Sequence, residues 1–145
     1  MFKKIMLGLS VVVAGACSSK NENLYSMIDT AFKNAEERYL ALADSLMKAD
    51  YGMLPHSTNP DGSLVTVETH GWTSGFFPGT LWYIHEYLGG DHIKSYADVY
   101  TSFLEAERHN SGTHDIGFMM FCSYGNSHRL YPTEDKKQIL IDAAD

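Results

Sequence analysis

From Leu24 onward the apolar residues of this chain recur at three- and four-residue steps. Leu24, Met27, Ile28, Ala31, Phe32, Ala35, Tyr39, Ala43, Leu46 and Met47 share one side, and Lys33, Asn34, Glu36, Glu37 and Arg38 fill the other. That spacing predicts an amphipathic helix of about seven turns. Between Asp50 and Gly71 the period is lost. Gly52, Pro55 and the Asn59-Pro60-Asp61-Gly62 cluster are turn chemistry, and Leu64-Val65-Thr66-Val67 alternates, so an irregular loop with room for a small hairpin is expected. Helical spacing returns over 76–88, where Pro78 is tolerated in the first turn and Gly89-Gly90 supplies the stop. Asp91 then reads as the N-cap of a third helix with Ile93, Tyr96, Ala97, Tyr100, Phe103 and Leu104 on its face, stopping near Asn110-Ser111-Gly112. The short connection makes these two helices antiparallel neighbours. A fourth helix is expected from about Asp115 to Gly125-Asn126. Thr133 caps a fifth, whose apolar face begins with Ile139, Leu140 and Ala143. With so little strand signal, the fold class is all-α.

The start of the chain follows a different logic. Met1-Phe2-Lys3-Lys4 is a short basic opening to the apolar run from Ile5 to Ala14, which is too short for a mature transmembrane helix. It ends in Ala14-Gly15-Ala16-Cys17, which resembles a bacterial lipoprotein signal. The expectation is therefore a leader over 1–16, lipidation of Cys17, and a polar tether over 17–23 ahead of the helical domain at 24–145. Two or more acyl chains give stable attachment, so the mature protein is expected outside the inner membrane as a lipid-anchored chain with no transmembrane helix, in the periplasm, on the outer membrane or at the cell surface.

Composition narrows the classes further. The chain has 145 residues, 44% of them apolar, with 18 acidic residues against 11 basic and a net charge of −7. One globular domain fits this, and disorder does not. The absence of a clustered basic stripe argues against nucleic acid as a partner. Once Cys17 is assigned, Cys122 stands alone in Phe118-Met119-Met120-Phe121-Cys122 and reads as a buried thiol. No metal site is expected. His85-Glu86 lacks a second histidine four residues on, where Gly89 stands, and His56, His70, His92, His109 and His128 show no ligand spacing. Asn59, Asp61 and Ser63 lack the closing acid of a calcium loop. Ser74 is not in a nucleophile elbow.

Two stretches carry candidate chemistry. Trp72-Thr73-Ser74-Gly75-Phe76-Phe77-Pro78-Gly79-Thr80-Leu81-Trp82 places four aromatics, two glycines and a proline at a loop-to-helix junction. Aromatic planes stack on sugar rings, and glycines let a ligand approach the backbone. Phe76, Phe77 and Trp82 also suit a helix core, which leaves Trp72, ahead of the helix, as the better ligand contact. In Thr113-His114-Asp115-Ile116-Gly117-Phe118 the acid sits at a helix start, where capping is its ordinary use. Tyr124 and Asn126 lie within reach of a pocket mouth or simply at a helix end.

Together the two stretches resemble glycoside hydrolase family 88, the unsaturated glucuronyl hydrolases. There a Trp-x-x-Gly-Phe-x-x-Gly-x-x-Trp block precedes a His-Asp-x-Gly-Phe block by a similar gap; the related family 105, unsaturated rhamnogalacturonyl hydrolases, fits the His114-Asp115 pair and the Trp72 block less well. The resemblance implies an (α/α)6 barrel that removes a terminal Δ4,5-unsaturated uronic acid from lyase-generated oligosaccharides of the glycosaminoglycan type, without a cofactor. It makes Asp115 one of two catalytic carboxylates and Trp72 and His114 substrate-binding residues. The implied reaction hydrates the vinyl ether, unlike hydrolysis by a carboxylate pair across a glycosidic bond. The second Asp belongs to a later helix of that family than any found here. Asp142 and Asp145 close the chain at the negative pole of its last helix, a disfavoured place for acids. An incomplete barrel, inactive alone, is therefore expected. A non-catalytic glycan-binding lipoprotein is the alternative.

Overall fold

The computed structural model describes residues 16–49 and 51–145, with 16–21 as backbone only. Residues 1–15 of the expected leader and the side chain of Cys17 lie outside the described residues. The chain divides into two compact units, one through Ala31 and one from Phe32 to Asp145. The first is helical from Ala16 and forms the opening turns of α1 (Ala16–Ala49). The helix thus includes the stretch expected to be a tether, which holds neither Gly nor Pro to interrupt it.

In the second unit, α1 continues to Ala49, with Ala43 and Leu46 buried. Tyr39 stacks on Phe77 at 5.5 Å, and the Tyr100 hydroxyl donates to the Ala43 carbonyl at 3.1 Å. The loop expected after α1 holds a hairpin of β1 (Leu54–Thr58) and β2 (Leu64–Val67), paired antiparallel with an irregularity between Pro55 and Ser57. Asn59 and Ser63 close its turn through a 2.8 Å backbone bond, and Gly62 takes φ 84°. Asp61 accepts from both the amide and the hydroxyl of Ser63, which lowers its carboxyl below the ordinary value. This run is a turn, as read.

Helices α2 (Phe76–Leu88) and α3 (Asp91–Phe103) form the expected antiparallel pair, joined through Gly89 and Gly90 at φ 79° and 92°. Glycine alone takes such angles without strain. Gly90, not Asp91, occupies the cap position; Asp91 is the first helical residue and favours the positive end of the dipole. Trp82 is wholly buried and donates to Thr101 Oγ1 at 2.9 Å, and Phe77 meets Tyr100 edge-on at 4.8 Å. After Phe103 the helix tightens into a 3-10 turn over Leu104–Glu107, earlier than the stop expected near residue 110.

The next helical run does not fade at Gly125. α4 (Ile116–Met120), a π turn (Phe121–Gly125) and α5 (Asn126–Leu130) follow without a break. Ser123 Oγ donates to the carbonyls of Met119 and Met120, and Asn126 Nδ2 to that of Cys122. These bonds occupy carbonyls where the ladder changes period. α6 (Glu134–Asp142) starts as expected, with the Thr133 hydroxyl accepting from the Lys136 amide. A small hairpin among helices leaves the all-α reading intact.

Candidate functional site

Two glycines bring the two candidate stretches together. A Cβ on Gly75 would lie 2.3 Å from the carbonyl oxygens of Phe118 and Met119, and one on Gly79 would lie 2.7 Å from that of Cys122. Further along, Arg129 pairs with Glu86 through two bonds of 2.6 and 2.7 Å, again at a separation of 43 residues. α2 and the 116–130 run are therefore parallel and in step, and they touch where side chains are missing. The glycines expected to admit a ligand serve helix contact instead. They shape the candidate site all the same, because parallel helices set Trp72 and Asp115, each ahead of a helix, at the same end.

At that end Trp72, Phe76 and Phe118 form a triangle, with centroids 5.8 Å (Trp72–Phe76), 6.3 Å (Trp72–Phe118) and 5.9 Å (Phe76–Phe118) apart. All three are exposed, between 39% and 50%. Phe76 thus departs from the core role expected of it: the first helical residue points outward, while Phe77 and Trp82 are buried. Phe118 closes the His-Asp-x-Gly-Phe block without a site role expected of it, yet it lies one turn beyond Asp115 and so shares its face. Exposed aromatic clusters of this kind mark binding surfaces.

Asp115 does not cap its helix. Its backbone sits at the cap position, with φ −90° and ψ 5°, but its side chain accepts no amide bond there. The Thr113 hydroxyl accepts from the Asp115 amide instead, at 3.1 Å. The Asp115 carboxylate keeps a quarter of its surface exposed and lies 3.5 Å from His114 Nε2, whose side chain is 95% exposed. Among the described residues neither side chain caps a helix, and Asp115 lies one turn before Phe118 of the aromatic triangle. Behind Phe76 lies a cleft of about 230 Å³, lined by Tyr39, Pro55, His56, Thr73, Phe77 and Thr80 among others. His56 Nδ1 is 2.9 Å from Thr73 Oγ1 there.

The remaining candidates have other roles. Ser74 is fully buried, and Tyr124 and Asn126 are buried. Burial pushes the Tyr124 phenol up to about 12; Cys122 is half-buried rather than buried as expected, and that partial burial still raises its thiol. His85 bonds Tyr131 at 2.6 Å and the Gly90 carbonyl at 3.1 Å. Among the described residues no three His, Cys, Asp or Glu side chains gather as metal ligands, and no helix is long and apolar enough to cross a membrane.

No protein-family model matches the chain. An unsaturated glucuronyl hydrolase of Formosa agariphila is 31% identical over 144 residues, 97% of this chain and 36% of that protein. An unsaturated chondroitin disaccharide hydrolase of Streptococcus pyogenes is 30% identical over 73% of this chain and 28% of its own length. Among solved structures, an unsaturated glucuronyl hydrolase specific for heparin superposes with a TM-score of 0.69 at 35% identity, covering 80% of this chain and 31% of that one. The chain thus spans well under half the length of the relatives it matches. By sequence and by fold together, it belongs to the unsaturated glucuronyl hydrolases, as a part of their α/α barrel.

Proposed function

We propose that Trp72, His114 and Asp115 form part of a site that removes a terminal Δ4,5-unsaturated uronic acid from lyase-generated oligosaccharides of the glycosaminoglycan type. The observation that carries this reading is the uncapped Asp115 carboxylate, paired with His114 at 3.5 Å next to three exposed aromatic rings. Stacking on Trp72 would hold the flat, partly unsaturated ring, and Asp115 and His114 would hold its hydroxyls. A proton added at C4 and water added at C5 convert the vinyl ether to a hemiketal, whose opening expels the next sugar; one water is consumed. A second carboxylic acid supplies the proton in this scheme. A neighbouring Asp115 would push the pKa of that acid upward, toward the range suited to proton transfer.

Because the chain covers 36% of its Formosa relative, we assign it sugar binding without turnover when it is made alone. The test is the 145-residue chain without residues 1–16, mixed with an unsaturated chondroitin disaccharide. Trp72 fluorescence should report binding, while the ultraviolet absorbance of the C4=C5 bond should stay constant. A falling absorbance would refute the inactive reading, and absence of binding would refute the site. In a longer protein that contains this segment, Asp115→Asn should abolish turnover and spare binding. An unchanged rate would favour a glycan-binding module, which the exposed aromatics alone would equally suit. We further propose lipidation at Cys17, which would place the protein outside the inner membrane; labelled palmitate should enter the wild-type chain and not Cys17→Ala.

A further inference from the structure

Glu107 ends the 3-10 turn behind α3 and is only 7% exposed. A buried carboxylate is costly unless its oxygens are bonded or paired with a cation. The adjacent Arg108 turns instead to Asp142 and Glu105, and Glu107 is satisfied by two hydrogen bonds. The Thr69 hydroxyl donates to Oε1 at 2.5 Å, and Asn110 Nδ2 donates to Oε2 at 2.7 Å. These donors belong to the two loops that carry the site. Thr69 lies three residues before Trp72, and Asn110 lies four before His114. Asn110 Oδ1 in turn accepts from the Gly112 amide at 2.9 Å, and Thr113 accepts from the Asp115 amide. We infer that Glu107 is a positioning residue, one carboxylate that ties the Trp72 loop and the His114-Asp115 loop together and so fixes the aromatic wall against the acid. It acts through Thr69 and Asn110 rather than by touching sugar. Its effect on sugar affinity rests on the function proposed above, whereas the tie itself does not.

The chemistry selects the variants. Glutamine can replace both bonds, its amide donating to the Thr69 hydroxyl and its carbonyl accepting from Asn110, whereas alanine replaces neither. Iodide quenching reads Trp72 alone, since Trp82, the only other tryptophan, is fully buried. In the 145-residue chain Glu107→Ala and Thr69→Val should each raise Trp72 quenching and weaken unsaturated disaccharide binding roughly fivefold or more, while Glu107→Gln stays within about twofold of wild type. Thr133→Ala, which removes the cap of α6, should lower stability and leave Trp72 unmoved, separating positioning from general loosening. If Glu107→Ala fails to fold, Thr69→Val decides. Unchanged quenching in the folded Glu107→Ala or Thr69→Val chain would overturn the inference, as would equal movement of Trp72 in Thr133→Ala. A wild-type chain that binds no disaccharide would count against the proposed function, and the quenching comparison would still judge the tie.

Discussion

Gly75 and Gly117 occur in the same pair of sequence blocks and do opposite things. Gly75 has carbonyl oxygens 2.3 Å from where a Cβ would stand, while Gly117 has nothing within 4 Å and no positive φ. Gly75→Ala should therefore push α2 off its partner and cost ~1–3 kcal/mol or more in denaturant unfolding. Gly117→Ala should leave stability level or raise it by up to about 1 kcal/mol, since alanine favours helix. Equal losses at both positions would show that close packing is not what Gly75 provides. The same scale holds a prediction for Cys122. Burial raises its thiol, so less thiolate is present at a given pH. Alkylation at pH 8 should run slower than that of free cysteine and approach it only on unfolding. Part of the candidate site was legible: the two motif blocks supply Trp72, His114 and Asp115, and the parallel helices set Trp72 and Asp115 at the same end. Phe76 and Phe118 stand in the same blocks, but their exposure was not legible, because exposure at the first turns of two helices is set by which neighbour each helix meets, and periodicity within one helix does not contain that.

Individual helices were the most readable level. α2 begins and ends at the residues its Pro78 and Gly89-Gly90 signals imply, and α6 starts at the Thr133 cap. Two of the boundaries that moved did so through side-chain bonds that continue or tighten a helix where its Gly and Asn signals would end it. Ser123 and Asn126 carry the run through Gly125 by bonding carbonyls along the π turn, and Glu107 holds the turn after α3. α6 is tied to that turn by Arg108, whose Nε lies 2.5 Å from Asp142. Gln138 first and Arg108 second lower the Asp142 carboxyl below its ordinary 3.8. A carboxyl lowered in the folded state contributes fully above its unfolded value, and that contribution fades as pH falls through the lowered one. Docking of α6 should thus be constant from neutral pH down to about 4 and loosen below it. Amide exchange along 134–142 measures this. Asp142→Asn should exchange faster at neutral pH and lose much of the difference in acid; a wild-type profile that loosens already near pH 6 would assign the tie elsewhere.

For the molecule as a whole, the sequence indicates class and kinship but not which surfaces remain uncovered. Within 32–145 the core gathers Leu81, Trp82, Ile84, Ile93, Tyr100, Leu104, Met119, Met120 and Ile139. Among the described residues, nothing covers the outer side of α4. Ile116, Gly117, Met120, Phe121, Leu140, Ala143 and Ala144 line an almost wholly apolar groove of about 180 Å³, and Phe121 beside it is 66% exposed. Phe118 of the Trp72–Phe76–Phe118 triangle is on the same helical run, and exposed apolar surface of this kind seeks a neighbour. Water gains nothing by wetting it, and at a concentration on the order of tens of micromolar another copy of the chain is the nearest available cover. The 145-residue chain without residues 1–16 should therefore bind a hydrophobic dye while folded, and its sedimentation coefficient should rise with concentration. Phe121→Lys places a charge at the rim of the groove, where burial would strip it of water. That variant should sediment as a smaller species with an unchanged helical signal, and it should retain sugar binding because the triangle is untouched. If wild type and variant sediment alike as monomers and neither binds dye, the groove is not the adhesive surface its composition implies.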